Sequence, residues 1–455
     1  MKENQPVLSI CIPTYNRAEL LKLSLESLIP QASEFNGEVE IVISDNCSTD
    51  HTKDICMEYK DVDYFCYSRN SENIGTTRNI MTLTSSLAKG EYCWVIGDDD
   101  LIIDGQLSKI IGRLKLHLEI DYFFVNFFFK SIKERNEIIL NKKSKYIPTS
   151  EEVMCKDTSE KVLEKWEDTL KIENLYPAEL HTHIVSHIFR RKMWNELINT
   201  IDVKDDAFSS LDNTFPHIKI LATALTGKRI YYFGEPSVLF SYDSQEWTGY
   251  LPIIIMDRVQ ELLELYESLG IDENIINHCK TYFFKRNGEN IIKIISNKDL
   301  LSKNNQSLKR FLQRNLDNET FIDALIEGIQ KYTLNIDESI YSKFTVQFFL
   351  SIVNGFLKEK KSIGIWGSGD VGKSLLQFEV IRNNISCIID TNPRKQGQKF
   401  SNTNLVIQPP EYLNENPVDV LIIASFSFAS NILYEIRNLY NIKTKVVSID
   451  GVCVN

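Results

Sequence analysis

Three short apolar runs punctuate the amino-terminal part of the chain, and each breaks off in a polar cluster: residues 8–17 (LSICIPTYNR), 39–50 (VEIVISDNCSTD) and 90–101 (GEYCWVIGDDDL). Runs of Ile, Val and aromatic residues bounded by turn formers read as strands buried on both faces of a parallel sheet. Between the first two, residues 18–29 (AELLKLSLESLI) put Leu20, Leu21, Leu25, Leu28 and Ile29 on one side of a helix, and residues 77–87 follow the same spacing less cleanly. Strand alternating with helix predicts an open, doubly wound α/β sheet, whose ligands bind beyond the strand carboxyl ends. Pro13, Thr14, Asp45, Asn46 and Asp98 to Asp100 are therefore expected at one end of that sheet.

Asp98, Asp99 and Asp100 follow a buried strand directly. Three adjacent carboxylates repel one another and lose hydration there, so a cation is expected to share the site, and hard oxygen ligands favour Mg²⁺ or Mn²⁺ over zinc. Such an ion could also hold a diphosphate. The competing reading is a solvated acidic turn, the usual fate of a charge run.

Taken together, the CIPTYNR, SDNCSTD, NIG and GEYCWVIGDDD segments resemble the nucleotide-binding half of the inverting GT-A glycosyltransferases of family 2. Within that family they are similar to the abequosyltransferase-like enzymes of bacterial O-antigen lipopolysaccharide, over residues 1–250. The resemblance implies a GT-A mixed sheet and a nucleoside diphosphate sugar donor. It places Pro13, Thr14, Tyr15 and Arg17 around the nucleoside, Asp45 on the base with Asn46 beside it, and Arg78 toward the ribose or phosphate. Where the family pattern opens its Asp-x-Asp metal motif, this chain has Gly97. One register makes Asp99 the metal ligand; another pairs Asp98 and Asp100, one toward the ribose and one toward the metal.

Inversion at an anomeric carbon needs a base for the acceptor hydroxyl and stabilisation of the departing diphosphate. In the resembling enzymes the base is a carboxylate at the start of a helix, which points to residues 204–220 (KDDAFSSLDNTFPHIKI), with Asp212 first and Asp206 second. Asp212 reads equally as a helix N-cap. His217 is a further candidate near the acceptor or metal, or else a core histidine. Residues 181–189 (HTHIVSHIF) would, as a strand, put His181, His183 and His187 on one face. A zinc trio there is less expected than a hydrogen-bonded sheet face. Residues 244–250 (SQEWTGY), with Trp247, have the aromatic and polar mix that stacks on a sugar; a surface turn is the alternative.

At 455 residues and 43% hydrophobic, the chain exceeds one ordinary core. The pattern divides it into a catalytic domain over 1–250, a helical adaptor over 251–357 and a small α/β domain over 358–455. A net charge of −11 argues against a nucleic-acid partner. Residues 1–5 (MKENQ) lead straight into a strand, which predicts no signal peptide, and residues 122–129 (YFFVNFFF) are too few to cross a bilayer. Nine cysteines without paired spacing point to the reducing cytoplasm. A lipid-linked glycan acceptor would demand peripheral membrane contact. Lys130, Lys133, Arg135, Lys142, Lys143 and Lys145 form a basic stretch that could touch anionic lipid, or else a solvated loop.

The tail reopens with a strand and glycine turn, residues 362–374 (SIGIWGSGDVGKS). Gly367, Gly369 and Gly372 fit G-x-G-x-x-G, while Gly367, Gly372, Lys373 and Ser374 fit the P-loop spacing. A second strand ending at Asp390 favours the former, a Rossmann-like half-fold whose role is nucleotide binding or scaffolding. The phrase at 389–397 (IDTNPRKQG) resembles small nucleotide-binding-like domains appended to bacterial sugar-processing proteins. The predicted function is a metal-dependent inverting glycosyltransferase of bacterial surface glycans, with hexose or deoxyhexose transfer. A catalytically silent GT-A scaffold and a nucleotidyltransferase are the rivals, and the middle and tail could each mediate a homo-oligomer.

Overall fold

The computed structural model describes residues 5–140, 146–204, 208–244, 249–333, 356–357, 360–376, 379–400, 403–424, 429–448 and 453–454. The chain folds as two compact units, Met1–Phe283 and Phe284–Asn455.

In the first unit the three predicted strands form as β1 (Leu8–Thr14), β2 (Val39–Asp45) and, after β3 (Phe65–Arg69), β4 (Tyr92–Val95). β5 (Leu101–Ile102), β6 (Tyr122–Lys130), β7 (Glu160–Leu163), β8 (His187–Arg190) and β9 (Ile230–Ser241) complete a nine-stranded sheet. Its order is β3-β2-β1-β4-β8-β6-β9-β5, with β7 on β9. β1 runs parallel to both β2 and β4, whereas β8 is antiparallel to β4 and β6, giving the mixed GT-A-like α/β sheet. The register sets Thr14 beside Asp45 and Cys11 beside Val95, so both polar loops leave the sheet next to the end of β1.

Five helices matter to that end of the sheet: α1 (Ala18–Ser33), α2 (Thr52–Met57), α3 (Thr76–Thr82), α4 (Gln106–Leu116) and α5 (Ile132–Leu140). α1 buries Leu21, Leu25 and Leu28, the apolar stripe its spacing predicts, and continues through Pro30. Its first amide is capped from another segment, Ala18 N–H donating to Asp50 Oδ2 at 3.0 Å. The aromatic run of β6 is a core strand, and its one buried amide, Asn126, is satisfied by Cys155 and Gly234 carbonyls at 2.9 and 2.8 Å.

Two expectations change here. The histidine-rich segment is not one strand: two short turns (Leu180–Thr182 and Ile184–Ser186) precede β8, so its histidines leave the common face. His181 stacks on Trp166 at 4.1 Å and shares hydrogen bonds with Thr169 and Tyr266, while His183 packs against Phe127 and Phe129. The Nε2 atoms of His187 and His217 both donate to the His181 carbonyl, at 2.8 and 3.1 Å. Two residues of the basic stretch turn inward, while Lys133 stays exposed. Lys130 is buried in ion pairs with Glu134 and Glu152, Arg135 is fully buried, and Lys142, Lys143 and Lys145 lie outside the described residues. Among the described residues no helix is long and apolar enough to cross a membrane, and Cys11, Cys47, Cys56, Cys66, Cys93, Cys155, Cys279 and Cys387 are free thiols.

The second unit contains helices Lys298–Asn315 and Glu319–Thr333, the latter meeting Gly288 so closely that a Cβ there would stand 2.1 Å from the Ala324 carbonyl oxygen. Its six-stranded sheet comprises β10 (Ile363–Trp366), β11 (Ile385–Ile389), β12 (Ile407–Gln408), β13 (Val420–Ile423), β14 (Lys445–Ser448) and β15 (Cys453–Val454). The order is β12-β11-β10-β13-β14-β15, parallel except for the last pair.

Burial pushes His181 down to about 3 and His217 down to about 4, and His187 well below its ordinary value. These rings stay neutral when folded and charge when unfolded, so their contribution is complete above pH ~6.5 and is lost as pH falls toward 4. For His217 the gap is worth about 3 kcal/mol. Urea unfolding of the protein should show a midpoint falling across that window, and a His217→Gln variant a visibly flatter slope. Identical slopes would refute a neutral, buried His217.

Candidate functional site

The acidic turn after β4 is drawn inward rather than splayed into solvent. Asp98 is buried and accepts from Thr14 Oγ1 at 2.8 Å and from Arg17 at 2.8 Å. Arg17 also reaches Asp99 Oδ2 at 2.9 Å and donates to the Ser244 carbonyl. Ser244 Oγ donates to the same Asp99 oxygen, and Ser241 Oγ to the Asp99 carbonyl at 2.7 Å. Asp100 is buried and takes amides from Gly97 at 3.0 Å and Ser241 at 3.2 Å. Thus the ends of β1, β4 and β9 converge on one corner.

Burial, then the neighbouring Asp99, pushes the Asp98 carboxyl up to about 6, against the pull of Arg17 and Thr14. The same two causes raise Asp100 well above the carboxylate range. Burial opposes the Arg17 charge, but Asp98 and Asp99 outweigh it and hold the guanidinium protonated.

Asp99 is the member suited to an ion. Its Oδ1 bears no hydrogen bond among the described residues, and its side chain is 13% exposed. Gly97 makes room for it: a Cβ at that position would stand 2.5 Å from Asp99 Oδ1 and 2.7 Å from Asp100 Oδ2. Two folded-back carboxylates thus occupy the space a side chain at residue 97 would need. Among the described residues no group of three or more His, Cys, Asp or Glu forms a ready ligand set. A carboxylate with one open oxygen fits Mg²⁺ or Mn²⁺, which commonly complete their shells with substrate phosphates and water.

Beside this corner lies a network of amides. Asp45 is fully buried; its Oδ1 accepts from Ser48 N–H at 2.8 Å and its Oδ2 from Tyr67 at 2.7 Å, with Arg69 3.5 Å away. Both oxygens of Asp45 thus order the turn after β2. Asn46 holds Asn73 at 2.7 Å, Asn70 at 3.0 Å and the Ile74 amide at 3.0 Å. Asn79 joins Ser44 and Asn70 beneath them. Tyr15 is exposed and Pro13 half-buried on the rim, and Arg78 donates to the Val203 carbonyl at 3.2 Å.

Asn213 meets the same rim, its carbonyl accepting from Thr77 Oγ1 at 3.0 Å. The cap of the short helix Leu211–Thr214 is Ser210, whose hydroxyl takes the Asn213 amide, so Asp212 is not the N-cap. Asp212 Oδ2 receives the Asp202 amide and Lys219 Nζ, both at 2.8 Å, and its Oδ1 bears no hydrogen bond among the described residues. His217 faces the buried histidine group instead, because its helix Pro216–Leu225 turns that side inward. Asp206 and Trp247 lie outside the described residues.

In the second unit Gly367 has φ +114° and Gly372 packs on its carbonyl oxygen, while Gly369 borders open space. Asp390 accepts from the Ser368 amide at 3.0 Å and hydroxyl, from the Asn392 amide at 2.9 Å, and from Lys395 at 3.1 Å.

Three participants escape the sequence reading, Ser24, Arg135 and Ser241, while Ser244 opens the 244–250 segment singled out there. Two are serines without a motif, and Arg135 sits among surface-like lysines; one signal was the serine interrupting the apolar stripe of α1.

Residues 9–172 match the model of glycosyl transferase family 2. The abequosyltransferase RfbV of Salmonella typhimurium is 28% identical over 283 residues, which cover 56% of this chain and 73% of that protein. The GalNAc(5)-diNAcBac-PP-undecaprenol beta-1,3-glucosyltransferase of Campylobacter jejuni is 32% identical over 109 residues, 24% of this chain and 34% of that protein. Among solved structures, S. aureus TarS in complex with UDP aligns at a TM-score of 0.47 and 18% identity, over 78% of this chain and 92% of that one. Residues 328–449 match a C-methyltransferase C-terminal domain, where the glycine turn points to a nucleotide-binding-like one.

Replacing Gly97 by Ala should crowd the two carboxylates and cost about 1–3 kcal/mol in urea unfolding. An unchanged midpoint would show that the turn yields freely and that no steric constraint acts there.

Proposed function

We propose that this glycosyl transferase family 2 chain moves one sugar, with inversion, from a nucleoside diphosphate to a hydroxyl of a bacterial surface glycan, at the corner formed by Arg17 and Asp98 to Asp100. The observation that carries the proposal is that corner: a buried acidic turn at the carboxyl ends of β1 and β4 with one carboxylate oxygen left open. The Salmonella relative is named for abequose transfer and the Campylobacter one for glucose transfer to an undecaprenol-linked glycan. Both names support a sugar donor here, and the Campylobacter name supports a lipid-linked glycan acceptor.

In the proposed reaction the acceptor oxygen attacks the anomeric carbon, the bond from that carbon to the diphosphate oxygen breaks, and the diphosphate leaves with the electron pair. A divalent ion on Asp99 would supply charge neutralisation at the departing diphosphate. Asp98, oriented by Thr14 and Arg17, keeps the turn from rotating, and the Asp100 carboxyl fixes the turn from below through the Gly97 amide. Arg17 stands close enough to Asp99 to turn from that carboxylate to a phosphate oxygen when the donor arrives. Asp212 takes the acceptor proton on Oδ1, while Lys219 and the Asp202 amide hold its other oxygen. Asp45, Asn46 and their amide network keep the floor of the nucleoside side rigid, leaving recognition to the exposed rim at Tyr15.

Thermal-shift measurements with UDP, CDP, GDP and dTDP, each with and without Mn²⁺, test the donor site. One nucleotide should raise the melting temperature in a Mn²⁺-dependent way, and Asp99→Asn should abolish that gain. Silence toward all four nucleotides would overturn the reading in favour of a non-catalytic scaffold. For the base, Asp212→Asn should lower kcat by about 10²–10⁴ with donor binding intact; an unchanged kcat would remove Asp212 from the mechanism.

A further inference from the structure

Arg135 is an arginine with no exposure, at a position where its neighbours in sequence read as surface. Burying a guanidinium is costly unless something nearby restores what water supplied. One terminal nitrogen donates to Ser24 Oγ and, at 3.2 Å, to the Leu20 carbonyl; the other donates to Asn136 Oδ1 at 2.9 Å. Its Nε has no partner among the described residues. Asp100, Asp99 and Asp98 support the charge at longer range, but burial outweighs them and lowers its pKa.

Ser24 carries the connection forward. A hydroxyl has one proton to give and lone pairs to accept with. Here it accepts from Arg135 and shares its proton between the backbone carbonyls of Asp98 at 2.8 Å and Asp100 at 3.2 Å. Those carbonyls flank Asp99 in the chain, so the turn is pinned on either side of the residue with the open carboxylate oxygen. A charged donor polarises the hydroxyl and strengthens the bonds it gives. Arg17 grips the same turn by its side chains from the exposed side. Arg135 therefore works from behind, on the backbone.

We infer that Arg135 is a positioning residue for the ion-binding turn, acting through Ser24 to hold Asp98 and Asp100 so that Asp99 presents its free oxygen. This rests on the reading of Asp99 as the ion ligand. It assigns a buried residue of α5, far in sequence from the acidic turn, to the affinity of the site rather than to a surface.

The test uses the full chain and Mn²⁺ alone, with bound ion measured by loss of the free-ion electron paramagnetic resonance signal and folding followed by thermal melting. Ser24→Ala and Arg135→Met should each weaken Mn²⁺ binding at least ten-fold, with Arg135→Lys recovering part of the loss because an ammonium can still donate to Ser24. Folded variants that bind Mn²⁺ as tightly as wild type, with only a lower melting temperature, would overturn the inference and leave Arg135 a structural residue. Should Arg135→Met not fold, Ser24→Ala decides alone. Wild-type binding that Asp99→Asn abolishes establishes the ligand independently, so equal binding by the Ser24 variant would then count against the Arg135 role and not against the site. Absence of Mn²⁺ binding in wild type would overturn both.

Discussion

Three carboxylates in succession, turned into a desolvated corner, set the terms for the amino-terminal unit. Left alone, Asp98, Asp99 and Asp100 would repel one another and resist burial. Arg17, partly exposed after β1, pairs with Asp98 and Asp99, and Arg135, buried in α5, reaches the backbone of the turn through Ser24. Amides of Gly97 and Ser241 supply further donors. Each of these partners belongs to a different element. Satisfying one turn thereby ties β1, α1, β4, α5 and the end of β9 to a common point, and the absence of a side chain at Gly97 lets the carboxylates fold back far enough to be reached.

The neighbouring nucleoside side is stabilised by different chemistry. Around Asn46 the groups are mostly amides and hydroxyls, which both donate and accept, so Asn70, Asn73, Asn79 and Ser44 can close a network with little net charge. Asn16 adopts a left-handed backbone with φ 53° and joins the loops after β1 and β2 by accepting the Thr49 amide at 2.7 Å. Asp45 brings a full charge, met by Tyr67, the Ser48 amide and the opposite charge of Arg69. A rigid neutral floor next to a charged, ion-ready corner is a division of labour suited to a ligand with a flat uncharged end and an anionic end.

How far the sequence reveals this depends on whether a residue's environment is local. β1, β2 and β4 are legible because strands buried on both faces are apolar throughout, and the glycine and acidic turns mark their ends. The acidic turn is legible for the same reason. Arg135 is not, since its surroundings come from α1 and the turn after β4 and its own flanking residues suggest solvent. The histidine segment misleads because period-two spacing shows a strand only if a neighbour pairs with it, and pairing starts at His187. Asp212 looks like a cap from composition, yet Ser210 lies two residues earlier with the extended backbone a cap requires.

The carboxy-terminal glycine pattern shows the opposite limit, a motif whose residues have structural reasons without any ligand. At Gly372 a Cβ would stand 2.2 Å from the Gly367 carbonyl oxygen, so that glycine permits the helix Asp370–Leu375 to sit on the turn. Gly367 is in a backbone region L side chains rarely adopt, at φ +114°. Asp390, the acid that ends the second strand, is bound to Ser368 in the turn and to Lys395 beyond it. Gly369 alone borders open space, where a side chain would have met nothing. A tight turn at Gly367, close packing at Gly372 and open space at Gly369 serve a scaffolding turn and a nucleotide-binding turn alike, so the glycine pattern by itself does not choose between them.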